Sequence, residues 1–146
     1  MATVMKVNHF SIYLKRNMDC TVILPSDIKE TDKLPVLWLY PDSSGNHTTW
    51  LYHAPLTEYC DEGRFAMVLP EVSNNVEADS GDNYGSYVRK ELVRTIHNMF
   101  PCISKDEKEC YIFDKIEEIG HNWKLRRNEL EKYLTDVKLI NIQERK

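Results

Sequence analysis

No apolar run in this 146-residue chain approaches the length needed to cross a bilayer. Nor is there a basic excess: nineteen Lys and Arg stand against twenty-three Asp and Glu, a formal net charge of −4. That balance leaves no electrostatic footprint for nucleic acid or an anionic membrane surface, so neither is expected as a partner. The opening residues Met1-Ala2-Thr3-Val4-Met5-Lys6 lack the basic start and apolar core of a secretory leader. Four cysteines, Cys20, Cys60, Cys102 and Cys110, form no C-x-x-C pair. Buried, reduced thiols and a cytoplasmic location follow as expectations. Repeats and low-complexity segments are also missing. The one local cluster of basic residues, Lys124, Arg126 and Arg127, reads as a solvated helix face.

What is present is ordinary for a globular domain: 42% hydrophobic and 29% charged residues, in a chain long enough to bury a core. The stretch that organises it runs from Leu34 to Trp50. Val36 to Tyr40 is an unbroken apolar run, short enough to be a strand covered on both faces. It empties into the turn formers Pro41-Asp42-Ser43-Ser44-Gly45-Asn46 and then into a predicted helix. That order puts backbone N–H groups at the carboxyl edge of a sheet, where α/β proteins bind ligands.

Upstream, Phe10, Ile12 and Leu14 alternate with polar neighbours as in a half-buried strand, and Cys20 to Leu24 forms a second. The two predict an N-terminal antiparallel pair. Downstream, residues 50–62 read as helical turns interrupted at Pro55 and stopped by Gly63, with Leu56, Tyr59 and Cys60 facing inward. Phe65 to Leu69 is the next strand. Residues 72–85 form a long polar loop, of a length that is usually functional or mobile. Ser86 to Phe100 is the clearest helix, with Val88, Leu92, Ile96 and Phe100 on one face and Pro101 ending it. Cys110 to Phe113 is a short strand, and residues 114–120 are a strand or a helical turn. Asn122 caps a last helix that carries Trp123, Leu130, Leu134 and Val137 inward. Strands alternating with helices predict a parallel sheet with crossovers. One domain over residues 1–137 and a frayed tail over 138–146 complete the expectation.

Several polar residues invite a functional reading and a plainer one. His47, His53 and Cys60 match no zinc spacing, so no metal is expected. Glu71, Glu77, Asp79 and Asp82 lack the alternation and glycine placement of a calcium loop and read as surface. Ser86, after Gly85 at a helix start, is a capping residue before it is a nucleophile. Ser44 shapes its turn. Trp38, Trp50 and Trp123 are core residues before they are stacking platforms. No cofactor is implied.

From Leu37 to Trp50 the sequence resembles the esterase D and tributyrin esterase-like branch of the α/β-hydrolases, where such a strand opens into H-G-x-x-G-N-x-x-x-W. Asp19 to Pro25, Phe65 to Pro70 and Tyr84 to Pro101 extend the similarity, and Gly120-His121-Asn122-Trp123 resembles the G-H-x-W that presents the catalytic histidine. Two blocks, residues 8–113 and 117–137, are covered. The resemblance implies an abridged α/β-hydrolase core: an N-terminal antiparallel β pair, about three parallel strands, and helices on both faces. It also implies hydrolysis of a small acyl ester by a serine on a kinked strand-to-helix turn, a histidine base, an orienting acid and two backbone N–H donors for the oxyanion.

The departures from that pattern are specific. No G-x-S-x-G surrounds any of the five glycines, at 45, 63, 81, 85 and 120. The family's H-G is Pro41-Asp42 here, so the oxyanion-loop equivalent Asp42, Ser43, Ser44 and Gly45 opens with a carboxylate where negative charge would develop. After Cys110–Phe113 the chain passes almost directly to the histidine block, as if the elbow, the following strands and the acid loop were absent together. His121 is then a vestigial base or a structural residue. An inactive relative of the short-acyl serine carboxylesterases is the first expectation. The alternatives are a binding or assembly module that pairs through an exposed sheet edge, forming a homo-oligomer, and a remnant without a role of its own.

Overall fold

The computed structural model describes residues 1–41, 46–71, 83–114 and 116–141, the side chains of residues 83, 84 and 117 excepted. Two strands, β1 (Thr3–Ser11) and β2 (Arg16–Leu24), form an antiparallel hairpin, followed by the central strand β3 (Val36–Leu39). A single 3-10 turn (Thr49–Tyr52) and α1 (Leu56–Gly63) lead to β4 (Ala66–Pro70). A continuous helical segment comes next: α2 (Asn83–Ser86), a π-helical turn (Tyr87–Glu91) and α3 (Leu92–Met99). Strand β5 (Cys110–Phe113), α4 (Ile116–Ile119) and α5 (Trp123–Asp136) complete the chain.

The sheet order is β1-β2-β4-β3-β5. Strand β2 pairs antiparallel with β4, whereas β3 lies parallel to both β4 and β5. This is the expected α/β architecture: an antiparallel pair, three parallel strands, and helices on both faces.

Alternation along the strands supplies one core on each face. Leu37, Leu39, Met67, Leu69 and Ile23 point to the side closed by α1 and α5, where Leu56, Tyr59, Cys60, Leu130 and Leu134 meet them. Val36, Trp38, Ala66, Val68 and Val22 point to the other side, covered by Tyr87, Val88, Leu92 and Ile96. Strand β5 ends the sheet, and its cover is incomplete. Phe113 is buried in the first core, but Ile112 on the opposite face is 50% exposed.

The structure corrects four expectations. The first strand lies earlier than the alternation predicts: Ser11 ends it, and Phe10 and Ile12 are 60% and 71% exposed. The buried hydroxyl of Ser11 donates to the buried carboxylate of Glu91, which also accepts from the backbone N–H of Ile12, so a polar contact sets the turn. Gly63 is not the left-handed stop of α1; Arg64 takes that conformation, with φ of 54°. Glycine at 63 answers a close approach instead, because a Cβ there would stand 1.9 Å from the carbonyl oxygen of Leu139. The expected fraying from residue 138 therefore does not begin there. Leu139 and Ile140 are buried in the first core, and their N–H groups donate to the carbonyl of Leu134. Finally, Arg126 does not belong to a solvated face. It is 1% exposed, while Lys124 and Arg127 are exposed.

Candidate functional site

The carboxyl ends of the parallel strands define the edge where a site is expected. Strand β3 leaves this edge toward the face covered by α1, and β4 leaves it toward the face covered by α3. The chain thus diverges between neighbouring strands β3 and β4, and such a switch point opens a crevice. Asp42, Ser43, Ser44 and Gly45, the oxyanion-loop equivalent, lie outside the described residues, as do Glu77, Asp79 and Asp82.

Where the chain resumes, Asn46 organises a tight turn. Its Oδ1 accepts from the backbone N–H and the hydroxyl of Thr48, and its own N–H donates to Thr49 Oγ1. His47 follows and is buried. Its Nδ1 shares a 2.8 Å hydrogen bond with Thr21 Oγ1 on β2, its backbone N–H donates to Glu71 Oε1 at 3.3 Å, and its Nε2 lies 3.7 Å from Glu71 Oε2. Glu71 follows the last residue of β4. Asp19 reaches the same place from β2, because the β2–β4 register sets Cys20 opposite Pro70. The side-chain amide of Asn8 donates to Asp19 Oδ1 at 2.7 Å and, together with nearby Lys6 and His47, holds this carboxyl below its usual range against a partial burial effect. His47, His53 and Cys60 do not converge; His47 groups with Asp19 and Glu71 instead.

Trp50 anchors the other side of the edge. Its indole N–H donates to the carbonyl of Tyr40 at 3.1 Å, tying the turn after the loop back to the end of β3. It meets Phe113 edge-on at 6.1 Å and Trp123 at 5.0 Å between ring centroids. His53 stacks on Trp123 at 4.0 Å, and the Arg126 guanidinium lies 4.6 Å from the Trp123 ring centre. Trp38 and Trp50 are buried core residues as expected, and Trp123 is half-buried.

His121 sits on the turn before α5. Gly120 has φ of 90°, a left-handed conformation that suits glycine, and its carbonyl accepts from Arg126 Nε at 2.5 Å. Asn122 Oδ1 caps α5 by accepting from the N–H groups of Lys124 and Leu125, as expected. The imidazole itself is exposed, and among the described residues no hydrogen bond joins it to a serine hydroxyl. Ser86 is no cap: it lies inside the helical segment, with φ of −64° and no capping bond from its side chain.

Similarity to known proteins follows the same frame. An acetyl esterase of Caldicellulosiruptor saccharolyticus is 28% identical over 116 residues, covering 72% of this chain and 44% of the relative. The structure of an S-formylglutathione hydrolase from Staphylococcus aureus superposes with a TM-score of 0.69 at 25% identity, over 77% of this chain and 46% of that one. A fluorophosphonate-binding serine hydrolase of the same organism gives 0.67 at 25% identity, over 76% and 46%. The chain is thus similar to esterases and serine hydrolases of the α/β-hydrolase fold. No protein-family model matches it. The chain spans about half the length of these relatives.

Within the family frame, the two stretches that carry the resemblance, residues 37–50 and 120–123, meet through the Trp50–Trp123 contact. That contact joins the loop region after β3 to the turn bearing His121. What residue spacing could not reveal is the meeting of Asp19, His47 and Glu71. Its only sequence signal is a carboxylate just past each of two strands' paired residues, and the register that aligns them depends on pairing across the sheet.

Proposed function

We propose that this chain carries the scaffold of a short-acyl serine carboxylesterase with little or no turnover of its own, the middle of that scaffold being absent. The observation behind this reading is the passage from β5 to α4, where only Asp114 and Lys115 separate Phe113 from Ile116. A nucleophile elbow needs a glycine-flanked serine on a sharp turn leaving such a strand. A base must also lie within about 3 Å of the hydroxyl it activates. His121, exposed on its turn, has no such partner among the described residues. Any small-molecule substrate is an acyl ester. A cytoplasmic location accords with four free cysteines, among them the exposed Cys110. No helix among the described residues is long and apolar enough to cross a membrane. The assembly alternative has the open edge of β5 in its favour and nothing further.

The deciding experiment incubates purified protein with p-nitrophenyl acetate and, separately, with a fluorophosphonate probe. The expected result is no covalent label and hydrolysis no faster in the native chain than in His121→Ala. Stoichiometric labelling, or turnover that His121→Ala abolishes, overturns the reading.

A further inference from the structure

We propose that Asp19, His47 and Glu71 form a binding site for a divalent transition-metal cation, zinc or manganese, at the switch point between β3 and β4. One imidazole nitrogen and two carboxylate oxygens can be chosen from these residues so that all lie within 4.8 Å of one another. Ligand bonds to such cations run to about 2.1 Å, so small side-chain rotations close the remaining gap. The three groups come from separate elements: a strand, a loop after a second strand, and the end of a third.

Each ligand is already oriented. With a metal on Nε2 of His47, which faces Glu71, Nδ1 would carry the proton and donate to Thr21 Oγ1, 2.8 Å away. A hydrogen bond on the far nitrogen is the device that fixes the tautomer and direction of a ligating imidazole. His47 is only 6% exposed, so its ring is held rather than free to sample solvent. Glu71 accepts from the His47 backbone N–H at Oε1, and its Oε2 lies 3.7 Å from Nε2 of the ring. Asp19 is held by Asn8 at Oδ1, and the exposed Lys6 ammonium lies 3.7 Å from its Oδ2. With a neutral imidazole the trio carries two negative charges, and a divalent cation balances both more directly than a single mobile lysine. An imidazole with two carboxylates suits zinc or manganese, and three protein ligands leave positions for water. The site lies beside the loop after β3 and does not depend on His121 or on any residual ester hydrolysis.

The test is isothermal titration of EDTA-stripped full-length protein with MnCl2 and with ZnCl2. Manganese discriminates here, because it disfavours the thiolates of the four cysteines. We expect one equivalent of each metal, zinc the tighter, with binding of both weakened at least tenfold in D19N, in H47Q and in E71Q. Asparagine and glutamine preserve side-chain size, and circular dichroism of each stripped variant verifies folding. A folded native chain without saturable manganese binding overturns the proposal. So does manganese binding that D19N and E71Q leave unchanged, since the ion then sits elsewhere.

Discussion

The two ends of one sheet edge treat their polar groups differently. Around β2 and β4, polar side chains are withdrawn from water and matched: Thr21 with His47, Ser11 with Glu91. Past β5, where the sheet stops, the imidazole of His121 remains in solvent. A buried polar group persists only where partners repay its lost hydration, and partners accumulate where elements converge from several directions. Between β3 and β4 three segments converge. Among the described residues, no strand other than β3 pairs with β5.

Trp50 links the two regions, so its removal should break the contrast most severely. It fills the space between β3, Phe113 and Trp123, and Trp50→Ala should lose about 4 kcal/mol of stability in urea unfolding. If the C-terminal turn were an independent appendage, the loss would be far smaller. Glu91→Ala comes next. It strands the buried Ser11 hydroxyl and the Ile12 N–H, a cost of about 2 kcal/mol by the same measurement, with amide exchange rising first in the β1–β2 turn.

Alkaline pH should act on the buried cores rather than on the open edge. Burial, aided by the nearby Asp19 charge, pushes the Cys20 thiol up from 9.0 to about 12, and burial raises Cys60 as well. In the folded state these thiols hold their protons more tightly than in the unfolded chain. Their contribution is therefore complete below pH 9.0 and declines as pH rises toward the folded values. Thermal unfolding followed from pH 8 to 11 should show a falling Tm, less steep in Cys20→Ala, and a thiol reagent should modify exposed Cys110 well before Cys20. The smallest effect belongs to His121→Ala. An exposed ring without a partner among the described residues should change stability by less than about 0.5 kcal/mol. A loss several times larger would place that imidazole in a contact like those of the β2–β4 end.

Much of the fold was legible because its signals are local. The apolar runs of β3 and β4, the spacing of Val88, Leu92 and Ile96, the Asn122 cap and the inward set Leu56, Tyr59 and Cys60 all appear as read. Reading failed where a residue's role depends on something distant. Arg126 looked like one member of a basic helix face, but it turns inward to the Gly120 carbonyl and the Trp123 ring. Gly63 looked like a helix stop, yet the Leu139 backbone lies against it. Phe10 and Ile12 promised a buried face that Ser11 occupies instead, drawn in by Glu91 from eighty residues away.

By itself the sequence determined the order and type of the elements, the resemblance to esterases and the lack of a G-x-S-x-G motif, since propensity, periodicity and motif act over a few neighbouring residues. Only the tertiary structure decided that Asp19, His47 and Glu71 meet, that residues 139–140 close the core, and that His121 faces water. The physical reason is register and crossover. A strand's side chains alternate every residue, and which neighbour each one meets is set by a pairing partner far along the chain.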